Sequence, residues 1–389
     1  MTAVSVAPSD LAEAERVLGS AAAQAQTLSF AGGGTEAGFG YPLESADLTI
    51  DTKRLARVVE YAPADMVVEV EAGITLAALQ ATLAENRQRL ALDPPAPERA
   101  TLGGLLATNA FGPRRTRFGS LRDLIVGVSL VRADGVRVRG GGRVVKNVAG
   151  FDLPKIAVGS LGTLGLIATA TFRLHPLPEA ARALRMRVPR DGILRGIARE
   201  LVARQLEPAA VAAYRERDDC ELFVLFEGFE AGVAEQVERF ARLAETFELS
   251  CADAGGPEAL AARDGDVRLH GNLRLRIAVP PAELDVLERE VLPRLGPAFD
   301  DRRVALYPTL GVAFVSALAH DSAREDAAVS AARAAVEALD GNLVVLAAPP
   351  ASAVDVYGTL PPAFGLMREL KARFDPERRL NRGRFVGRL

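Results

Sequence analysis

Apolar and polar positions follow one another along this chain in two different textures. Residues 10–23, DLAEAERVLGSAAA, place apolar side chains at helical spacing, and Ser9 or Asp10 stands where an N-cap belongs. Short β-type runs follow at 27–31, 48–50, 58–61 and 66–71, after which Thr75 opens a second helical pattern, TLAALQATLAEN. Residues 125–139 read as a hairpin, because Asp134-Gly135 supplies the positive φ of a tight turn. A strand at 168–174 brings this half to the Pro-rich break HPLPEA at 175–180.

Beyond Ala180 strand-like runs (222–226, 273–279, 304–306, 312–316, 343–346) alternate with amphipathic helices at 232–247, 282–292 and 323–339. That spacing predicts an α+β domain whose helices cover one face of an antiparallel sheet. Pro-rich residues 348–350 close it, and a helix at 363–374 leads into the tail DPERRLNRGRFVGRL. The first half is rich in short strands and glycine, without the strict strand–helix alternation of a doubly wound dinucleotide fold.

Composition narrows the functional classes. A chain of 389 residues is too long for one ordinary core and predicts two or three domains. A net charge of −3 gives no overall bias towards nucleic acid. Between Arg114 and Lys146, however, nine Lys/Arg meet two acids, which suits either a solvated face or a site for an anion. Two cysteines, Cys220 and Cys251, are too few for a disulfide framework, a Cys₄ zinc site or an iron–sulfur cluster. The first residues lack a basic stretch followed by an apolar core, and the apolar run 311–319 is far short of a membrane span. The expectation is a cytoplasmic protein.

Three glycine-rich segments carry the chemistry. Ala31-Gly32-Gly33-Gly34-Thr35 follows a strand, and consecutive glycines let successive N–H groups converge on phosphate oxygens. Thr101-Leu102-Gly103-Gly104 runs into Ala107-Thr108-Asn109, where small residues admit a flat or phosphorylated ligand or, equally, pack a short helix. The stiff Asp93-Pro94-Pro95 stands upstream. Gly159-Ser160-Leu161-Gly162-Thr163-Leu164-Gly165 has the spacing G-x-x-G-x-x-G, not that of a Rossmann turn.

In this order and spacing the segments resemble the PCMH-type FAD-binding fold of the vanillyl-alcohol oxidase superfamily. Lys146-Asn147-Val148-Ala149-Gly150-Phe151-Asp152-Leu153, Phe118-Gly119-Ser120-Leu121-Arg122-Asp123 and the ending Leu380-Asn381-Arg382-Gly383-Arg384 are similar to the smaller FAD-binding subunits of bacterial glycolate oxidases, with Arg382 in place of the usual proline. The likeness spans 27–178 and the tail and is thin over 181–355. It implies an α+β fold: a PCMH-type FAD-binding domain of two α+β subdomains (1–178), an α+β cap domain (181–355) and a C-terminal segment (356–389) returning to the flavin. It places Gly32, Gly33, Gly34 and Thr35 on the pyrophosphate, and Pro95, Thr101, Gly103, Gly104, Thr108 and Asn109 beside the flavin and ribityl chain. Gly159, Gly162, Thr163 and Ile167 fall on the last FAD-binding segment, and Asn381 near the isoalloxazine ring.

The implied cofactor is non-covalent FAD. The first histidine is His175 and the first cysteine Cys220, which leaves only Tyr41 and Tyr61 as formal candidates for a covalent link. Oxidising a 2-hydroxy acid needs a base for the hydroxyl proton and a cation for the carboxylate. Relatives use an H-x-H pair with a divalent metal, whereas His270 and His320 stand fifty residues apart here and no metal site is read. Arg274, Arg276 and Arg303 could hold a carboxylate or simply form the polar face of strands; the catalytic residues are therefore unknown at this level. Three readings follow. The chain is the FAD-binding subunit of a glycolate oxidase complex beside a larger flavin subunit and an iron–sulfur subunit, held at the inner face of the membrane through those partners. Alternatively it is a self-sufficient 2-hydroxy-acid dehydrogenase, or a flavin-containing scaffold without turnover.

Overall fold

A computed structural model describes residues 4–142, 152–189, 192–217, 219–320 and 323–389. The chain divides into two compact units. The first comprises Met1–Phe111, Gly119–Leu177 and Thr359–Leu389, the second Gly112–Phe118 and Pro178–Gly358.

The first unit holds two main sheets. In one, Val4–Val6, Leu48–Asp51 and Leu28–Ala31 lie parallel in that order. The helix Leu11–Ala23 joins the first strand to the edge; Asp10 caps it by accepting from Glu13 N at 2.8 Å, while Ser9 N donates back to the Glu13 carboxylate. Its Ala14, Leu18 and Ala21 pack with Leu28, Ile50, Val131, Leu166 and the tail residue Leu380 in one core cluster. Leu380 also forms a parallel bridge with Leu28, so the tail extends this sheet.

The other sheet is antiparallel, in the order Val58–Ala62, Val67–Glu71, Leu166–Arg173, Ile125–Val131 and Arg137–Gly141. The expected hairpin is present, and Gly135 has φ +82° at its turn. Helices Leu76–Ala84 and Leu102–Thr108 start side by side. Thr75 and Thr101 cap them, Leu76 N donates to Ala100 O, and Leu102 N donates to Ile74 O.

The second unit is built on one eight-stranded antiparallel sheet, ordered Ala252–Asp253, Ala180–Arg187, Asp219–Gly228, Ala210–Glu216, Asp300–Tyr307, Val312–Leu318, Leu273–Ala278 and Asn342–Ala347. Helices Ile193–Ala203, Glu230–Glu245, Pro257–Arg268 and Ala323–Glu337 belong to it. Two expectations need correction here. The Pro-rich break at 175–180 contains the short strand His175–Pro176, paired with Arg89 and Gln88, and runs straight into Ala180–Arg187. The helix expected at 282–292 is broken into short turns, with a π-type segment at Leu287–Val291. Pro293 lacks an N–H and its ring crowds the carbonyl of Arg289, so the regular ladder cannot continue.

Candidate functional site

A cleft of about 300 Å³ opens in the first unit, walled by all three glycine segments and the tail. Gly32, Gly33, Gly34 and Thr35 line it from the loop after Leu28–Ala31; Thr101, Gly103, Gly104 and Thr108 line it from the short helix; Gly162, Ile167 and Asn381 complete it.

The walls owe their closeness to the missing side chains. A Cβ on Gly33 would run into the Arg99 carbonyl and one on Gly32 into Thr101 Oγ1, so the loop lies hard against residues 99–101. Thr52 N and Oγ1 both donate to Ala31 O, at 2.9 and 3.0 Å, and fix where the strand ends. Beyond that point no acceptor among the described residues meets the main-chain N–H of Gly32, Gly33, Gly34 or Thr35. A run of uncommitted N–H donors at a cleft wall is the arrangement that holds a diphosphate. At Gly104, by contrast, a Cβ would meet only the Thr101 hydroxyl, closely, at 3.2 Å.

The third segment is stitched to the short helix. Gly159 N donates to Leu106 O at 2.8 Å and Leu161 N to Ala107 O at 2.9 Å. Asn381 then ties three parts together. Its main-chain N–H reaches Leu28 O at 2.8 Å, its Oδ1 accepts from Phe30 N at 3.2 Å, and its Nδ2 donates to Leu161 O at 2.6 Å. Gly162, at φ +69°, leaves room for that amide.

Pro95, Asn109, Gly159 and Thr163 are not among the residues that line the cleft. Asn109 ends the helix in the left-handed region, and its Oδ1 is buried without a partner. Thr163 is buried; its hydroxyl donates to Ser160 O and its carbonyl accepts from Lys371. Lys146 to Phe151 of the quoted motif lie outside the described residues.

Other lining residues escaped the sequence reading. Ser29 and Thr49 face each other on paired strands with their hydroxyl oxygens 2.7 Å apart, and Glu36 and Arg384 are the charged groups of the wall. The signal for Ser29 and Thr49 was the polar residue inside LSFA and LTID, which alternation alone assigns to solvent. Glu36 directly follows the first glycine run, and Arg384 ends the quoted tail motif. Arg384 donates to the carbonyls of Phe39 and Ala37, which holds the loop's far end to the tail.

Among the described residues, the basic side chains from Arg114 to Arg139 do not line the cleft. Arg114 pairs with Glu227 in the second unit; in the first, Arg132 pairs with Asp134, Arg137 with Glu15 and Arg139 with Glu69. Local charge is thus met by carboxylates close in space but mostly distant in sequence. Among the described lining residues there is no histidine, cysteine or tyrosine. Tyr61 OH donates to Gln88 Oε1, and the Tyr41 ring lies 4.5 Å from the Arg388 guanidinium. In the second unit His270 faces Asp301 at 3.0 Å, His320 faces Asp300 at 3.1 Å, and Arg303 pairs with Asp266 at 3.1 Å. Arg274 and Arg276 alternate with buried Leu273, Leu275 and Ile277 along their strand. Among the described residues no helix is long and apolar enough to cross a membrane.

Comparison with known proteins agrees with this geometry. Residues 2–141 match the family described as FAD binding domain. The chain is 34% identical over 186 residues to glycolate oxidase subunit GlcE of Escherichia coli (strain K12), covering 48% of this chain and 52% of that one. It is also 34% identical over 174 residues to a D-lactate dehydrogenase of Archaeoglobus fulgidus, covering 44% and 39%. The matched portions thus span about half or less of these curated relatives. A solved structure of alkyldihydroxyacetonephosphate synthase superposes on 97% of this chain and 75% of its own with a TM-score of 0.74 at 19% identity, which shows a shared fold.

Proposed function

We propose that the chain, whose residues 2–141 match the family described as FAD binding domain, is the FAD-binding subunit of a glycolate oxidase-type 2-hydroxy-acid dehydrogenase, working beside a larger flavin subunit and an iron–sulfur subunit. The observation that carries the cofactor is the glycine-walled cleft with its uncommitted N–H donors at Gly32–Thr35. Bound FAD supplies an acceptor for the hydride of a 2-hydroxy acid. The chain's own part is to hold the diphosphate on fixed backbone donors, to keep side chains away at Gly34 and Gly104, and to brace the wall through Asn381. The reading takes the cofactor as non-covalently held, in keeping with described lining residues that include no histidine, cysteine or tyrosine.

Similarity to a glycolate oxidase subunit supports the place in a complex. So does the state of the histidines: none lines the cleft, and His270 and His320 each face a carboxylate. A positioned base is worth about 10²–10⁴-fold in rate, and nothing in the cleft wall offers an imidazole for it. The test is to purify the chain alone and mix it anaerobically with glycolate or D-lactate. It should be yellow, release FAD on acid precipitation, and stay oxidised with either substrate while dithionite reduces it. Co-expression with both partner subunits should restore substrate-dependent dye reduction. Rapid bleaching of the isolated chain by a 2-hydroxy acid would instead establish a self-sufficient dehydrogenase.

A further inference from the structure

Glu36 stands in the cleft wall immediately after the N–H run of Gly32–Thr35. Its Oε2 is buried and has no hydrogen-bond partner among the described residues. The main chain around it is fixed: Ala37 N donates to Gly34 O, and Phe39 N donates to Glu36 O at 3.1 Å. Arg384, the other charged residue among the described lining, donates to the carbonyls of Ala37 and Phe39, just after Glu36. The carboxylate is thus held beside a site built for a dianion, where a second negative charge is unfavourable unless it has a donor of its own.

A carboxylate only accepts hydrogen bonds, so its counterpart must bring O–H or N–H. Resting on the FAD reading above, we propose that Glu36 receives the hydroxyl groups of the sugar that flanks the cofactor's diphosphate. Two vicinal hydroxyls match the two carboxylate oxygens, the chemistry by which an acidic residue holds ribose in doubly wound dinucleotide sites. FAD carries such hydroxyls on both sides of the diphosphate, on the adenosine ribose and on the ribityl chain, and FMN keeps only the second.

The test compares wild type, Glu36→Gln and Glu36→Ala as apo-protein titrated with FAD and with FMN, each also melted without cofactor. A group that waits for a ligand burdens the empty protein. Both variants should therefore melt at or above the wild-type temperature, while Glu36→Ala binds FAD about 10- to 100-fold more weakly. Unchanged FMN affinity in the variants identifies the adenosine ribose as the partner; an equal loss for FMN identifies the ribityl chain. Unchanged or tighter FAD binding overturns the proposal, as does a variant that loses both affinity and apo-stability, which marks a purely structural carboxylate. Wild-type protein that takes up no FAD at all overturns the cofactor reading together with this one, whereas wild-type binding with an indifferent variant overturns this one alone.

Discussion

The ammonium of Lys371 lies 2.6 Å from Asp375 Oδ2, one helical turn away, and both side chains are almost entirely buried. Lys371 Nζ also donates to Thr163 O at 2.8 Å and to Leu380 O at 3.1 Å, while Asp375 accepts from the main-chain N–H groups of Arg379 and Leu380. One ion pair thus joins the last helix, the third glycine segment and the tail that carries Asn381. Every polar atom it buries is used, which is the condition under which a buried pair can be tolerated.

Lys371→Met keeps the length of the side chain and strands the Asp375 charge. It should cost about 3–5 kcal/mol of stability, read as a fall in melting temperature, and FAD should dissociate more readily. Burial pulls the Lys371 ammonium below the ordinary lysine value of 10.5, against the opposing pull of Asp375. The unfolded chain therefore holds this proton more tightly than the folded one. The wild-type advantage over Lys371→Met should grow as pH rises through the folded value towards 10.5. An advantage that shrinks on the alkaline side would show that the pair, not its burial, dominates.

Asn381→Ala removes the bonds to Phe30 N and Leu161 O at a position only 4% exposed. Two main-chain groups lose their partner, at about 1–3 kcal/mol. Asn381→Asp should do worse, because a carboxylate oxygen then faces the Leu161 carbonyl. Differential scanning calorimetry and flavin content per chain read both effects; an aspartate variant as stable as wild type contradicts the brace.

The glycines divide into those the protein needs and those the ligand needs. Gly33→Ala should disrupt the loop even without cofactor, because its Cβ has no room beside the Arg99 carbonyl. Gly104→Ala should leave the apo-protein as stable or firmer by about 0.5–1 kcal/mol, alanine being the better helix former. Gly104→Val should retain far-UV circular dichroism yet lose FAD. Stoichiometric FAD in Gly104→Val would assign this glycine to packing alone.

Backbone donors make cofactor affinity insensitive to salt. With Arg384 the cation in the described wall, raising ionic strength from 0.05 to 0.5 M should change FAD affinity by less than about threefold. A loss of a hundredfold or more would point to the basic stretch as the real anchor.

The parts legible in the sequence were those set by local rules. Asp10 and Thr75 announce helix starts through capping chemistry, and Asp134-Gly135 announces its hairpin through turn geometry. Glycine runs marked the three cleft segments because a close backbone approach leaves few alternatives. Less legible was anything decided by distant neighbours. The strand Ala180–Arg187, AARALRMR, has helix-forming residues and becomes a strand because Asp219–Gly228 pairs with it along its length. Glu36 and Lys371 read as ordinary charged residues; only the assembled fold shows one carboxylate oxygen without a donor and one ammonium sealed inside.

The edge of the first sheet is closed from the far end of the chain. Leu28 N donates to Arg379 O and Asn381 N to Leu28 O, each at 2.8 Å, and the Phe30–Asn381 bond spans 351 positions of sequence. On the ribosome, the strand Leu28–Ala31 must wait, its outer edge bare, until residues 379–381 have cleared the exit tunnel. A transcript broken anywhere upstream of the tail yields a colourless protein with a raw β-edge, the kind of surface by which quality-control machinery recognises unfinished work.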